Sequence, residues 1–274
     1  MTDFEDLYLG KETVYPTTFS RDLLARIPRS ESSAESPEGS GAIKLNGFDL
    51  WTIYELSWVS AKGEANAAIG ELRVPSSSAF IVESKSLKLY INSLYYGRFN
   101  NKDEVRDEIS LALTNLLEVP VDVHLWPLSD YGATVEPEES YIDLDNLQAE
   151  VRDFVDPGHL KVIDRTEHTT RYRTSLFRSL CPVTSQPDWA TVFIGLGGIE
   201  IDAKGLATYL LGYRNHQAFH ESCVEQIYSD LMERLSPNRL TVAARYTRRG
   251  GIDINPYRTS EVAVFQMPGR TIRQ

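Results

Sequence analysis

Apolar positions along the chain switch between a two-residue and a 3.6-residue rhythm. "LWTIYELSWV" (50–59) and "FIVESKSLKLYINSLYY" (80–96) are rich in β-branched and aromatic residues with partial alternation, which predicts strands. "NKDEVRDEISLALTNLLE" (101–118) has helical spacing, with Asn101 or Asp103 near its start, and "VDVHLWPL" (121–128) returns to strand. In the second half, "WATVFIGLGGIEID" (189–202) predicts a hairpin turning at Gly197-Gly198. "AKGLATYLLGYRN" and "HESCVEQIYSDLMERL" predict helices, and Val224, Ile227, Tyr228, Leu231 and Leu235 form an i, i+3, i+4, i+7 stripe in the second. "LTVAARYTRRGGIDINPYR" predicts a long hairpin with its turn at Arg249-Gly250-Gly251. Each half thus offers strands, helix and strands. The pattern suggests two related α+β units in tandem, without residue-level identity between them.

Two polar stretches punctuate this pattern. "PRSESSAESPEGSG" (28–41) is too rich in Ser, Glu, Gly and Pro to pack and reads as a loop. The acidic, turn-rich residues 129–146 mark the connection between the halves. A chain of 274 residues is long enough for two cores. No apolar run approaches the roughly 20 residues that span a bilayer, so no membrane association is expected. The acidic N-terminus carries no export signal, so a cytoplasmic location is expected. A net charge of -11 disfavours direct nucleic-acid binding and favours a small-molecule ligand.

Only Cys181 and Cys223 are present, too few for a disulfide scaffold and without a CxxC pair. Cys181 is followed by Pro182, so the chain there is extended or turning. The polar residues Thr184, Ser185 and Gln186 follow, and Asp188 precedes Trp189, whose indole could desolvate it. A thiolate attacks electron-poor carbon, and a desolvated aspartate can donate a proton, so the pair suits a nucleophile and a general acid. The competing readings are a buried core cysteine and a turn aspartate after Pro187.

Other stretches bear on ligands. His216 and His220, spaced i, i+4, would share one helical face and could bind a metal, but no HExxH order accompanies them. His220-Glu221 at a helix start reads better as a polar pair facing a ligand, with the carboxylate accepting two N–H donors of a guanine-like edge. Arg245, Arg248 and Arg249 beside Gly250 and Gly251 suit phosphate capture. "GLGGIE" fails as a dinucleotide fingerprint because its third glycine position is Glu200 and no helix opens there, so any nicotinamide cofactor is not bound by a Rossmann unit.

Together, "ESKSLKLYINS", "CPVTSQPDW", "FHESCVEQI" and "RYTRRGGIDINPYR" resemble the motifs of the QueF family of NADPH-dependent 7-cyano-7-deazaguanine reductases. "YELSWVSAKGEANAAIGELRVP" and "LLARIPRS" also fit its long form, with the ESKS signature in the first half and the cysteine in the second. The resemblance implies an α+β fold of two tandem tunnelling-fold (ββααββ-like) modules, residues 1–145 and 146–274, with antiparallel sheets and helices on one face. It implies reduction of the nitrile of a deazaguanine base to a primary amine, in queuosine biosynthesis, with NADPH as the cofactor and no metal. Cys181 would form a covalent thioimide and Asp188 would protonate the nitrile nitrogen. Val82, Glu83, Ser84, His220 and Glu221 would hold the base. Ser84, Lys85, Arg249 and Gly250 would contact NADPH. The implied assembly is a homo-oligomer, a dimer for the two-module form. Rival readings are a thiol nitrile hydrolase, a zinc-dependent pterin-type tunnelling-fold enzyme and a non-catalytic binding module.

Overall fold

The computed structural model describes residues 8–11, 14–32, 45–132, 140–261 and 267–274. Most of the loop expected at 28–41 and the centre of the acidic stretch near Glu136 lie outside them. The chain is α+β, with mostly antiparallel strand pairs, and divides into two compact units. The first comprises residues 1–32, 49–133 and 248–254, and the second residues 33–48, 134–247 and 255–274. The division is thus interleaved, with one short hairpin tip from late in the chain counted in the first unit.

In the first unit, β1 (Arg26–Pro28) leads into a single helical turn, α1 (Arg29–Ser32); β2 (Asn46–Val59), whose first three residues count with the second unit, β3 (Ala65–Pro75) and β4 (Phe80–Val82) follow. Two helices follow, α2 (Ser84–Ser93) and α3 (Lys102–Leu117), and then β5 (Asp122–Trp126). The strand order is β5-β3-β2, while β1 and β4 form a separate antiparallel pair. Trp51, Ile53, Leu72 and Val74 from the strands pack with Leu87, Tyr90, Ile91, Val105, Ile109 and Leu113 from the helices. Burying each such side chain contributes about 1.5–3 kcal/mol of transfer free energy.

The segment 83–96 corrects the expected strand. The alternating reading holds only for Phe80–Val82; from Ser84 the chain is helical. Glu83 is the N-cap, and its carboxylate accepts from the backbone N–H of Lys85 and Ser86 at 2.9 and 2.7 Å. Leu87, Tyr90, Ile91 and Leu94 are all buried, at the i, i+3, i+4, i+7 spacing of a helix face. The β-branched and aromatic composition had masked that period.

The second unit contains a short β6 (Ile142–Asp143), β7 (Val162–Leu180), β8 (Pro187–Ile201), α4 (Ala203–Leu211), α5 (His220–Leu235), β9 (Arg239–Tyr246) and β10 (Ile252–Thr259). The first three residues of β10 count with the first unit. The order β6-β7-β8-β9-β10 is antiparallel except at β6-β7. Ala190, Val192, Ile194 and Leu196 alternate into the core, where they meet the predicted α5 stripe of Val224, Ile227, Tyr228, Leu231 and Leu235.

No turn occurs at Gly197-Gly198. β8 runs straight through it, with Gly197 paired to Thr169 on one side and Arg239 on the other. Gly198 takes φ 85, beside a register shift between Arg165 and Thr169 of β7, and a Cβ there would strike the Asn238 side chain. Glycine therefore serves a bulge inside the sheet, not a hairpin. The partner strand β7 was not legible because its first half is Thr- and Arg-rich and largely exposed, leaving little apolar alternation.

Asn101 caps α3, accepting from the Glu104 N–H at 3.0 Å. Asn101→Ala is expected to lower unfolding stability by about 1 kcal/mol. An unchanged urea midpoint for the first unit would contradict that role.

Candidate active site

The second unit holds Cys181 in a tight loop between β7 and β8. The Cys181 N–H donates to the Gln186 carbonyl, and the Ser185 N–H donates to the Cys181 carbonyl, both at 2.9 Å. Ser185 closes the loop in the left-handed region at φ 55. Ser179 pairs with Asp188 and Leu180 with Pro187, so the cysteine and the aspartate stand at the same end of one hairpin. The segment before α5 is bound to that end. The Leu180 N–H donates to the His216 carbonyl at 2.9 Å, the Ala218 N–H donates to the Leu180 carbonyl at 3.1 Å, and the Gln217 amide donates to the Ser185 hydroxyl at 2.9 Å. Two residues further on, α5 opens with His220 and Glu221.

The backbone ties thus gather the expected residues of this unit. His220 Nε2 lies 3.4 Å from Asp188 Oδ2, and both side chains are largely buried. Glu221 is 2% exposed, Asp188 6% and Cys181 6%. The indole is not what desolvates Asp188. Successive strand residues face opposite sides, and Trp189 is flanked instead by the Arg178 and Arg214 guanidinium groups at 5.9 and 5.4 Å. His216 does not share a helix face with His220, because it lies in the connection before α5, where its ring meets Tyr213 edge-on.

The two cysteines differ. Cys223 lies on the buried face of α5 at 0% exposure, and burial pushes its thiol up to about 12, which leaves it protonated and inert. Cys181 is also buried, at 6% exposure, but lies in the loop between β7 and β8 and not on a helix face.

The first unit gathers the other expected residues. Val82 ends β4, Glu83 caps α2, and Ser84 and Lys85 form its first turn. The Glu83 carboxyl is pushed above its usual range by burial, opposed by the Lys85 and Ser86 N–H groups. A carboxylate has about four acceptor sites, so the Lys85 and Ser86 contacts do not exhaust it. Close to this helix lies the hairpin tip 248–251. Gly250 and Gly251 have φ 55 and 78, and the Arg249 N–H donates to the Ile252 carbonyl at 2.8 Å. A Cβ on Gly250 would sit 2.8 Å from the Lys88 ammonium, so the tip rests against α2. Arg248 lies over the Tyr54 ring at 4.6 Å. Lys88 and the tip at Arg249-Gly250, far apart in sequence, thus meet, with the Glu55 carboxylate 3.8 Å from the Lys88 ammonium and against Gly251, while the Lys85 ammonium donates to the Lys11 carbonyl at 2.6 Å. Sequence reasoning missed Lys88, because three-residue spacing from Lys85 has meaning only in a helix.

Comparison with known proteins matches both stretches. A family model described as "Nitrile reductase, 7-cyano-7-deazaguanine-reductase N-term" covers residues 15–125, and one described as "QueF-like protein" covers residues 187–263. Cys181 falls between the two. The NADPH-dependent 7-cyano-7-deazaguanine reductase of Teredinibacter turnerae is 40% identical over 261 residues, covering 95% of this chain and 93% of that protein. Proteins of the same name from Bordetella avium and Acinetobacter baumannii are 41% and 39% identical, covering 98% of this chain and 98% and 99% of their own lengths.

A carboxyl whose folded pKa is raised loses stabilisation as pH rises from its unfolded value through its folded one. Glu83→Gln is therefore expected to gain stability relative to the unmodified chain as pH goes from 4.5 to 7. Paired urea titrations that show a flat or reversed difference would contradict the burial assigned to Glu83.

Proposed function

The chain belongs to the family of NADPH-dependent 7-cyano-7-deazaguanine reductases, and on that footing we propose that it reduces the nitrile of 7-cyano-7-deazaguanine to the aminomethyl group, in the supply of queuosine for tRNA. The observation that carries the reading is the hairpin end bearing both Cys181 and Asp188, with His220 3.4 Å from the Asp188 carboxylate. We infer two tandem tunnelling-fold modules dividing near residue 145, a homodimeric assembly and a cytoplasmic setting. Among the described residues no helix is long and apolar enough to cross a membrane.

In this scheme the Cys181 thiolate adds to the nitrile carbon, forming a C–S bond and converting C≡N to the C=N of a thioimide. Protonated Asp188 gives its proton to the nitrogen, which takes up the electron pair of the broken π bond. His220 beside Asp188 holds that carboxyl in place. Glu221 accepts N–H donors of the deazaguanine ring, and Glu83, with Val82 and Ser84 as its chain neighbours, has the same acceptor chemistry. Burial around Cys181 keeps water from hydrolysing the thioimide. After the first reduction the Cys181 sulfur leaves as thiolate.

The basic residues of α2 and of the 248–251 tip have the chemistry to hold NADPH. Lys85, Lys88 and Arg249 offer charged donors, and Gly250 lets a phosphate approach the backbone. NADPH held there would supply hydride, with two molecules used for each nitrile carried to the amine. The α2 N-terminus adds little, because the Glu83 carboxylate already occupies it.

The purified chain is expected to oxidise two NADPH for each nitrile converted to amine; release of ammonia without NADPH consumption would overturn the reading in favour of a hydrolase. Asp188→Asn is expected to slow reduction by about 10²–10⁴-fold while retaining nitrile binding. Lys85→Ala and Arg249→Ala are expected to raise the KM for NADPH more than that for the nitrile, and equal effects on both would remove them from the cofactor site.

A further inference from the structure

A histidine that must face a carboxylate is ordinarily fixed by a hydrogen bond at its other ring nitrogen. His220 lacks that bond: Nδ1 is buried and makes no hydrogen bond among the described residues. Its ring is instead laid flat on Tyr246, with centroids 3.7 Å apart and planes 4° from parallel.

We propose that Tyr246 is the positioning residue of this site, an aromatic shelf that holds the His220 imidazole with Nε2 toward Asp188. The inference rests on the reductase reading for what Asp188 does, but the shelf itself is geometric. Tyr246 is fully buried, and Phe177 braces its ring edge-on at 6.3 Å. Its backbone is clamped from outside the ladder. The Tyr246 N–H donates to Asn255 Oδ1 at 3.2 Å, and the Gln274 amide donates to the Tyr246 carbonyl at 3.1 Å and to Asn255 Oδ1 at 2.7 Å. β9 places Tyr246 opposite Ala190, two residues along β8 from Asp188, so shelf and carboxylate stand on neighbouring strands. The Tyr246 hydroxyl lies near Ser179 and Cys223 without a well-formed hydrogen bond among the described residues. The ring face, not the hydroxyl, is the working part.

The test compares Tyr246→Phe, Tyr246→Leu, His220→Gln and the Tyr246→Leu/His220→Gln double variant, all in the full chain. Tyr246→Phe is expected to stay within roughly threefold of the unmodified rate, because the stacking face remains. Tyr246→Leu is expected to lose about 10–100-fold in kcat, the scale of a misplaced catalytic group. The double variant should be no slower than His220→Gln within roughly twofold, since the shelf acts only through the histidine. Proton NMR, with the His220 ring signals identified by their loss in His220→Gln, should show an upfield ring-current shift that Phe preserves and Leu abolishes. A Phe variant as impaired as Leu, additive losses in the double variant, or an unshifted His220 signal in the unmodified chain would each overturn the proposal. If Tyr246→Leu does not fold, the Phe variant and the NMR shift still decide. Failure of the unmodified chain to oxidise NADPH with the nitrile would instead defeat the reductase reading and leave the NMR result to judge the shelf.

Discussion

Three backbone hydrogen bonds around Leu180 and Cys181 set the geometry of the candidate site. Leu180 exchanges N–H and carbonyl bonds with His216 and Ala218, and the Cys181 N–H closes the loop onto Gln186. Without the first two, the cysteine hairpin and the start of α5 would be independent pieces of surface. With them, a loop thiol, a strand carboxylate and a helix-start imidazole are held at one end of the second unit's sheet.

Place in the fold then separates similar side chains. Cys223 is sealed on a helix face, with its thiol pushed up to about 12, while Cys181 lies in a loop. Glu83 is buried, yet two backbone N–H groups satisfy it, so it serves the helix it caps and retains acceptor capacity for a ligand. Positive φ at Gly250 and Gly251 folds a hairpin tip back against α2, where Lys88 and Glu55 pair.

Much of this was legible in the sequence. The α5 stripe, the Asn101 cap and the Gly250-Gly251 turn each follow a local rule of period, capping or backbone freedom, and each appears where that rule puts it. The errors arose where tertiary context overrides local pattern. Glu83–Tyr90 reads as strand by composition, but a carboxylate cap and an apolar face make it helix. Gly197-Gly198 reads as a turn, but the neighbouring strands carry β8 through it with a bulge. β7 was invisible because a sheet strand exposed over half its length needs few apolar residues. For the site, residue chemistry singled out Cys181, Asp188 and His220-Glu221, whereas Tyr246 and Lys88 have no meaning until strand register and helix phase set them beside His220 and Gly250.

The central claim is that the Cys181 sulfur bonds to the nitrile carbon before any electron is delivered. Intact-protein mass spectrometry after incubation with 7-cyano-7-deazaguanine alone tests it most directly. The account predicts a mass increase equal to the whole nitrile, mapped to the peptide containing Cys181 and discharged on adding NADPH. No added mass, or the same adduct on a chain carrying Cys181→Ala, would contradict it.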